Sequence, residues 1–186
     1  MRIIAGRFKG LRLVSPRIKG VRPTLDRVRE ALFSTLGPAV EGSRILDLFA
    51  GTGAFGFEAL SRGAQYVTFV DKDRRVAETL KANTESLGLG HQIRIINADV
   101  PTALKRLVQQ AERFHVVFLD PPYESEWVEK IVFQSALIDV LEPRCLLIVE
   151  RDSKATPLEA PSGFDKRFSR KYGGTLIEIF EFRDSR

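Results

Sequence analysis

Two stretches of this 186-residue chain set carboxylates beside glycines or prolines at spacings that suit chemistry, 47-DLFAGTGAFG-56 and 120-DPPY-123. In the first, Gly51, Gly53 and Gly56 match G-x-G-x-x-G, and Asp71 lies twenty residues past Gly51. That pattern suits a dinucleotide, because the glycines let the ligand approach the backbone at a strand-to-helix turn and the later acid binds a ribose. A glycine turn in that place can also be purely structural. In the second stretch a carboxylate precedes two residues that lack N–H groups, so a carbonyl beside Asp120 stays outside any sheet ladder. The competing reading is an ordinary strand-to-loop turn, where Asp and Pro are common.

Asp47 discriminates between ligands. A carboxylate beneath the glycine turn is badly placed for a pyrophosphate and well placed for an ammonium, or for organising the loop itself. S-adenosylmethionine offers an ammonium, a ribose diol and an adenine amine, and it has no phosphate. The strand-end acids match those groups in turn: Asp47 the aminoacyl end, Asp71 the ribose, and Asp99 of 97-NAD-99 the adenine amine. For Asp99 a helix N-cap beside Pro101 is the structural alternative.

Residues so placed need strands ending beneath them. Short apolar runs at 44–48, 66–70, 92–96, 115–119 and 145–149 predict such strands, alternating with helices at about 53–62, 73–87, 100–112 and 125–140. Strands apolar along their whole length argue a parallel sheet covered on both faces, with ligands bound beyond the carboxyl ends. The segment 164–182 holds two extended runs hinged at Gly173-Gly174, which predicts a closing antiparallel hairpin. The expected fold is therefore α/β, a doubly wound, mostly parallel Rossmann-like sheet of about seven strands. Ahead of it, 2–14 predicts a short basic hairpin. Thr24 can cap a helix to Leu36 with Leu25, Val28, Leu32 and Phe33 on one face and Gly37-Pro38 as its stop. Residues 1–42 are thus expected as a basic hairpin and helix, and 43–186 as the domain that carries the ligand site. Trp127 shares a helical face with Ile131 and is expected to pack on the sheet.

Composition narrows the classes. A hydrophobic content of 44% supports a real core. The longest apolar runs, such as 145-CLLIV-149, fall well short of the roughly 18 residues a membrane helix needs, and 1-MRIIAGRFKG-10 is charged where a signal peptide is apolar. A cytoplasmic protein, monomeric and without membrane contact, is expected. The single Cys145 sits in an apolar run and only His91 and His115 are present, so no disulfide frame and no metal site is expected. Residues 1–30 hold nine lysines and arginines against Asp26 and Glu30, a net +7, while the rest of the chain sums to −2. A concentrated basic end on a near-neutral body is the footprint of a polyanion binder, or a solvated edge that aids solubility.

The set 47-DLFAGTG-53, 70-VDKD-73, 97-NAD-99 and 120-DPPY-123 resembles the class I S-adenosylmethionine-dependent methyltransferases. The DPPY tetrapeptide further resembles the branch that methylates exocyclic amines of nucleobases. With 2-RIIAGRFKGLRL-13, 22-RPTLDRVREALF-33 and 47-DLFAGTGAFGFEALSRGA-64, the whole chain resembles the RsmD family, bacterial guanine-N2 methyltransferases of 16S ribosomal RNA. The resemblance implies that Asp47, Phe49, Ala50, Gly51, Gly53, Asp71, Lys72, Ala98, Asp99 and Asp120 hold the methyl donor. It implies that Asp120, Pro121, Pro122 and Tyr123 receive the guanine amine. It also implies that the basic amino-terminal part, with Arg2, Arg7, Lys9, Arg12, Arg22 and Arg27, meets 16S rRNA or a small-subunit assembly particle. Thr52 stands where serine is common in the family, and Asp71 where glutamate is frequent.

The tetrapeptide suits an amine for physical reasons. A base's exocyclic nitrogen is a poor nucleophile because its lone pair is delocalised into the ring. Asp120 and a free carbonyl, that of Pro121, would accept its two hydrogens and release the lone pair, while Tyr123 stacks on the base. Three rivals stand beside this reading. An adenine-N6 methyltransferase can also carry DPPY, though no added target-recognition region of about 80 residues is visible. A nicotinamide oxidoreductase shares the glycine pattern but leaves DPPY unexplained. A non-catalytic RNA-binding protein leaves the intact acids unexplained.

Overall fold

The apolar runs become strands because a parallel strand buried on both faces needs no polar side. The computed structural model describes residues 1–16, 26–122, 127–132 and 134–183. Strands β1 (Arg44–Leu48), β2 (Tyr66–Asp71), β3 (Ile93–Asn97), β4 (Phe114–Leu119) and β5 (Leu141–Asp152) pair in parallel, and β6 (Phe164–Tyr172) and β7 (Thr175–Phe182) add an antiparallel hairpin. The order is β3-β2-β1-β4-β5-β7-β6. Strand order reverses between β1 and β4, so the crevice beyond their carboxyl ends is where a ligand is received.

Helices α1 (Asp26–Leu36), α2 (Ala54–Ser61) and α3 (Arg74–Ser86) cover one face of the sheet, and α4 (Val100–Gln109), α5 (Trp127–Val132) and α6 (Ser135–Ile138) cover the other. The described residues among 1–40 do not form a core of their own. Ile3, Leu13, Val28, Leu32 and Phe33 join Ile45, Phe55, Val116 and Phe118 in one apolar cluster. Phe55 stacks between Phe33 at 5.1 Å and Phe118 at 4.1 Å, which ties α1 to α2 and to the strand that carries Asp120. Offset aromatic pairs of this kind add roughly 0.5–1.5 kcal/mol each beyond the area they bury.

Several expected elements shift. Arg2 and Arg12 make only an isolated antiparallel bridge, so residues 2–14 form a hairpin-like loop with little ladder. Gly37-Pro38 does not stop the first helix outright, since a 3-10 turn runs on from Gly37 to Val40. The expected helix 125–140 is two helices, broken at an extended Gln134. In one straight helix Leu137, nine residues after Val128, would face about 180° away from it. The break lets Val128, Ile131 and Leu137 all reach the same core. Strand β5 is longer than 145–149, beginning at Leu141 with a register shift opposite Phe114 and Val116. The proposed cap Thr24, with Leu25, and the side chain of Trp127 lie outside the described residues.

Candidate active site

Each parallel strand beside the crevice ends on or next to an acid: Asp47 within β1, Asp71 closing β2, Asp120 just past β4 and Glu150 within β5. Two of these acids hold the glycine loop. Asp71 accepts hydrogen bonds from Gly51 N–H at 3.0 Å and Asp73 N–H at 2.9 Å. Asp47, fully buried, accepts from Gly56 N–H at 3.2 Å and so ties the start of α2 to β1. Gly53 has φ +73, and a Cβ there would meet Leu80 at 2.4 Å; a Cβ on Gly56 would lie 2.3 Å from the Phe69 ring. Gly53 therefore makes the turn, and Gly56 brings α2 down onto β2. Phe49, half-buried, opens the loop at φ +60, a conformation that costs a bulky side chain about 1–3 kcal/mol. Strain of this size persists only where the surroundings enforce it, here the Ala50 N–H bond to Val70 C=O at 3.0 Å.

The loop's donor set selects its ligand. The N–H groups of Gly51 and Gly56 are taken by carboxylates, whereas a pyrophosphate at this turn needs such donors free. Carboxylates in their place fit a ligand that brings a cation and hydroxyls. Each oxygen of Asp71 keeps a second lone pair for a ribose hydroxyl. This arrangement weighs against a dinucleotide at the same loop.

The other expected donor residues are placed as follows. Ala98 is half-buried and donates its N–H to Asp71 C=O at 3.2 Å, and Lys72 is exposed. Asp99 is the N-cap of α4, accepting from Thr102 N–H at 2.8 Å, and the bonds from Thr102 hold its carboxylate below the ordinary range. The structural alternative for Asp99 thus describes its side chain in this structure.

Asp120 is half-buried beside the loop, followed by buried Pro121 and exposed Pro122. Burial, then the nearby Glu150, then Asp47, raise its carboxyl well above the usual range. Asp47 is raised likewise, by burial first, with Gly56 N–H opposing and Asp71 adding to the shift. The acids of the crevice therefore stand close enough to oppose one another's ionisation. Tyr123 lies outside the described residues. Cys145 is buried and its thiol pushed far above its ordinary range, which leaves it no nucleophilic role.

The basic residues do not form one cluster. Arg2 pairs with Asp26 at 3.4 Å, Lys9 and Arg12 are exposed, and Arg27 is exposed on α1. Arg7 donates to Gln92 at 2.6 Å and its N–H bonds Ser61 C=O, which puts it where β3 starts, at the sheet edge opposite the acids. Arg22 lies outside the described residues.

Sequence reasoning missed Glu58 and Glu150. Seven of the eight residues of α2 are buried, and Glu58 among them accepts from the N–H groups of Ile4 at 2.7 Å and Ala5 at 3.0 Å. A carboxylate inside an otherwise buried helix was the available signal. Glu150 follows the same strand-end rule that pointed to Asp47 and Asp120.

The family described as Conserved hypothetical protein 95 matches residues 1–181. A Haemophilus influenzae protein named Ribosomal RNA small subunit methyltransferase D is 41% identical over 165 residues, covering 88% of this chain and 84% of that one. The Bacillus subtilis protein YlbH is 33% identical over 183 residues, covering 98% of this chain and all of its own length. The solved structure of Escherichia coli yhhF superposes with a TM-score of 0.84 at 33% identity, covering 98% of each chain.

Proposed function

Since the chain belongs to this family, the RsmD family, we propose that it is an S-adenosylmethionine-dependent methyltransferase that methylates the exocyclic N2 amine of a guanine in 16S ribosomal RNA. The observation that carries the reading is the convergence of Asp47, Asp71 and Asp120 on a glycine turn whose N–H groups are already held by carboxylates. When bound, S-adenosylmethionine supplies an electrophilic methyl group.

The chain's own residues bind, orient and take up protons. Asp47 faces the ammonium, Asp71 the ribose hydroxyls, and Ala98 with Asp99 border the adenine. Phe49, Ala50, Gly51, Gly53 and Lys72 complete the donor's surroundings. Asp120 and the Pro121 carbonyl accept the two amine hydrogens, so that the nitrogen lone pair is released from the ring, and Tyr123 covers the base. Asp120 then takes the proton that the methylated amine loses. No strong base is required, because that nitrogen becomes acidic as it gains its methyl, and positioning supplies most of the rate. The target guanine has to leave its stack, at a few kcal/mol. Residues 1–42, through Arg2, Arg7, Lys9, Arg12, Arg22 and Arg27, contact the RNA or the assembling particle.

The test is tritiated methyl transfer to 16S rRNA and to partly assembled small subunits from methylation-deficient cells, followed by nucleoside analysis. Label in N2-methylguanosine is expected. Label in N6-methyladenosine overturns the base assignment, and calorimetric binding of NAD without binding of S-adenosylmethionine overturns the reaction class.

A pH dependence follows from Asp47. Its raised pKa means that the protonated form adds to the stability of the free protein at low pH, an advantage lost as pH rises through the folded-state value. Holding an ammonium requires the opposite form, so binding expels a proton and donor affinity falls as pH falls through the same value. Calorimetry in two buffers of different ionisation enthalpy should show that release, and Asp47→Asn should abolish it.

A further inference from the structure

A second cationic site lies on the same edge of the sheet as the acids, apart from the amino-terminal hairpin. A groove of about 520 Å³ runs between the outer stripe of α1, with Arg27, Ser34 and Thr35, and the end of β6, with Arg170, Lys171 and Tyr172. Three hydroxyls, of Ser34, Thr35 and Tyr172, and three cations line it, and among the described residues no acid does. Asp26 and Glu30, which flank Arg27 in sequence, and Asp152, which pairs with Thr175, are not among the lining residues; Asp26 is engaged by Arg2 and Arg29, and Asp152 accepts from Lys154 N–H.

An edge strand carries lysine and arginine to deter pairing with other chains. That accounts for Lys166 and Arg167, which are neutralised by Glu178 and Glu181 at 3.0 Å each. It does not account for the far end of β6. Among the described residues no ion pair engages Arg27, Arg170 or Lys171, although they come from elements about 140 residues apart in sequence. Arg170 instead lies 5.5 Å over the ring of Tyr172, which steadies its guanidinium.

Register fixes where this groove stands relative to the chemistry. Thr175, opposite Tyr172 in the hairpin, pairs with Asp152, two residues beyond Glu150. Leu119 pairs with Val149, so Asp120 and Glu150 lie at one level and the hairpin tip just above them. From β4 to β6 is three strand steps of about 4.8 Å, or roughly 14 Å. A few nucleotides span that distance. The basic tip of the amino-terminal loop, by contrast, lies at the opposite edge, where Arg7 meets Gln92.

We propose that the groove between α1 and the β6–β7 turn binds the phosphate backbone of the RNA strand that delivers the target base, with Arg27, Arg170 and Lys171 as its cations. The proposal rests on the methyltransferase reading above and adds a site to it. Three exposed cations with no acid beside them among the described lining residues suit a polyanion, and the Ser34 hydroxyl can donate to the same phosphate oxygens, that of Thr35 being given to Ala31 C=O at 2.9 Å.

The test measures filter binding of full-length protein to a 16S rRNA transcript over a salt series, for the wild type, for R170Q/K171Q and for R170K/K171R. Each lost phosphate contact removes about 0.7 from the slope of log affinity against log salt, so the glutamine pair should flatten it by roughly 1.5 and weaken binding on the order of 10-fold at 0.1 M salt. The charge-conserving pair should retain the wild-type slope, and both variants should bind S-adenosylmethionine as the wild type does. An unchanged slope in R170Q/K171Q, or an equal loss in R170K/K171R, overturns the groove while leaving methyl transfer by the wild type intact. Failure of the wild type to label rRNA would instead remove the reading on which the groove depends.

Discussion

Asp120→Ala is expected to lower methyl transfer about 10²–10⁴-fold, roughly 3–5 kcal/mol of barrier, while affinity for S-adenosylmethionine stays within a few-fold of wild type. The asymmetry follows from what each acid touches. Asp71 and Asp47 hold the glycine loop through Gly51, Asp73 and Gly56, and Asp120 makes none of these bonds. Its removal leaves the donor's cradle standing and takes away the acceptor that releases the amine's lone pair. Single-turnover labelling of rRNA beside calorimetry separates the two effects. Full activity in the alanine variant would reject the assignment.

Asp120→Asn refines the test. The amide keeps the shape and one acceptor oxygen but has no charge and cannot take a proton. Burial and Glu150 raise the Asp120 carboxyl above its usual range, so wild-type transfer should climb with pH as that group ionises. The asparagine variant should lose this limb of the profile. Glu150 enters the same argument, since removing its charge allows Asp120 to ionise at lower pH. In Glu150→Gln the limb should shift toward acid.

The strands were legible because parallel pairing buries both faces and leaves apolar runs with no polar alternation. The strand-end acids were legible for a related reason: a charged residue closing such a run marks where the sheet meets its ligand. What escaped was decided by contacts distant in sequence. The break at Gln134 has no glycine or proline beside it and shows only as a change of apolar phase between Val128 and Leu137. Asp99 carried two readings that local pattern cannot separate, and the N–H of Thr102 took its carboxylate. The +7 at the amino end suggested one patch, yet the fold sends Arg7 to the far edge and leaves Arg27 across from β6. Charge totals do not encode direction.

The same dependence on distant contacts makes Glu58→Ala the substitution expected to cost most stability, about 3–5 kcal/mol, or on the order of 10 °C in melting temperature. The Glu58 carboxylate is fully buried and takes four partners: the N–H groups of Ile4 and Ala5, Arg62 Nε at 2.8 Å, and Arg29, whose Nε is 3.8 Å away. Arg29 is only 2% exposed, so alanine strands a guanidinium and two N–H groups in the interior. Its remaining partners, Asp26, the Arg2 carbonyl and the Met1 sulfur, belong to the same amino-terminal region and cannot replace an anchor on α2. Glu58→Gln keeps an acceptor for one N–H but sets an amide donor against the other, so its loss should be smaller than that of alanine and still measurable. Undocking residues 1–14 also withdraws Met1, whose sulfur lies 3.6 Å from the Thr52 hydroxyl in the glycine loop. Donor affinity should therefore fall along with stability, which distinguishes this site from a remote core defect. Denaturant unfolding and donor calorimetry on the two variants measure both consequences; losses below about 1 kcal/mol in each would show that the amino-terminal segment is held by its apolar contacts alone.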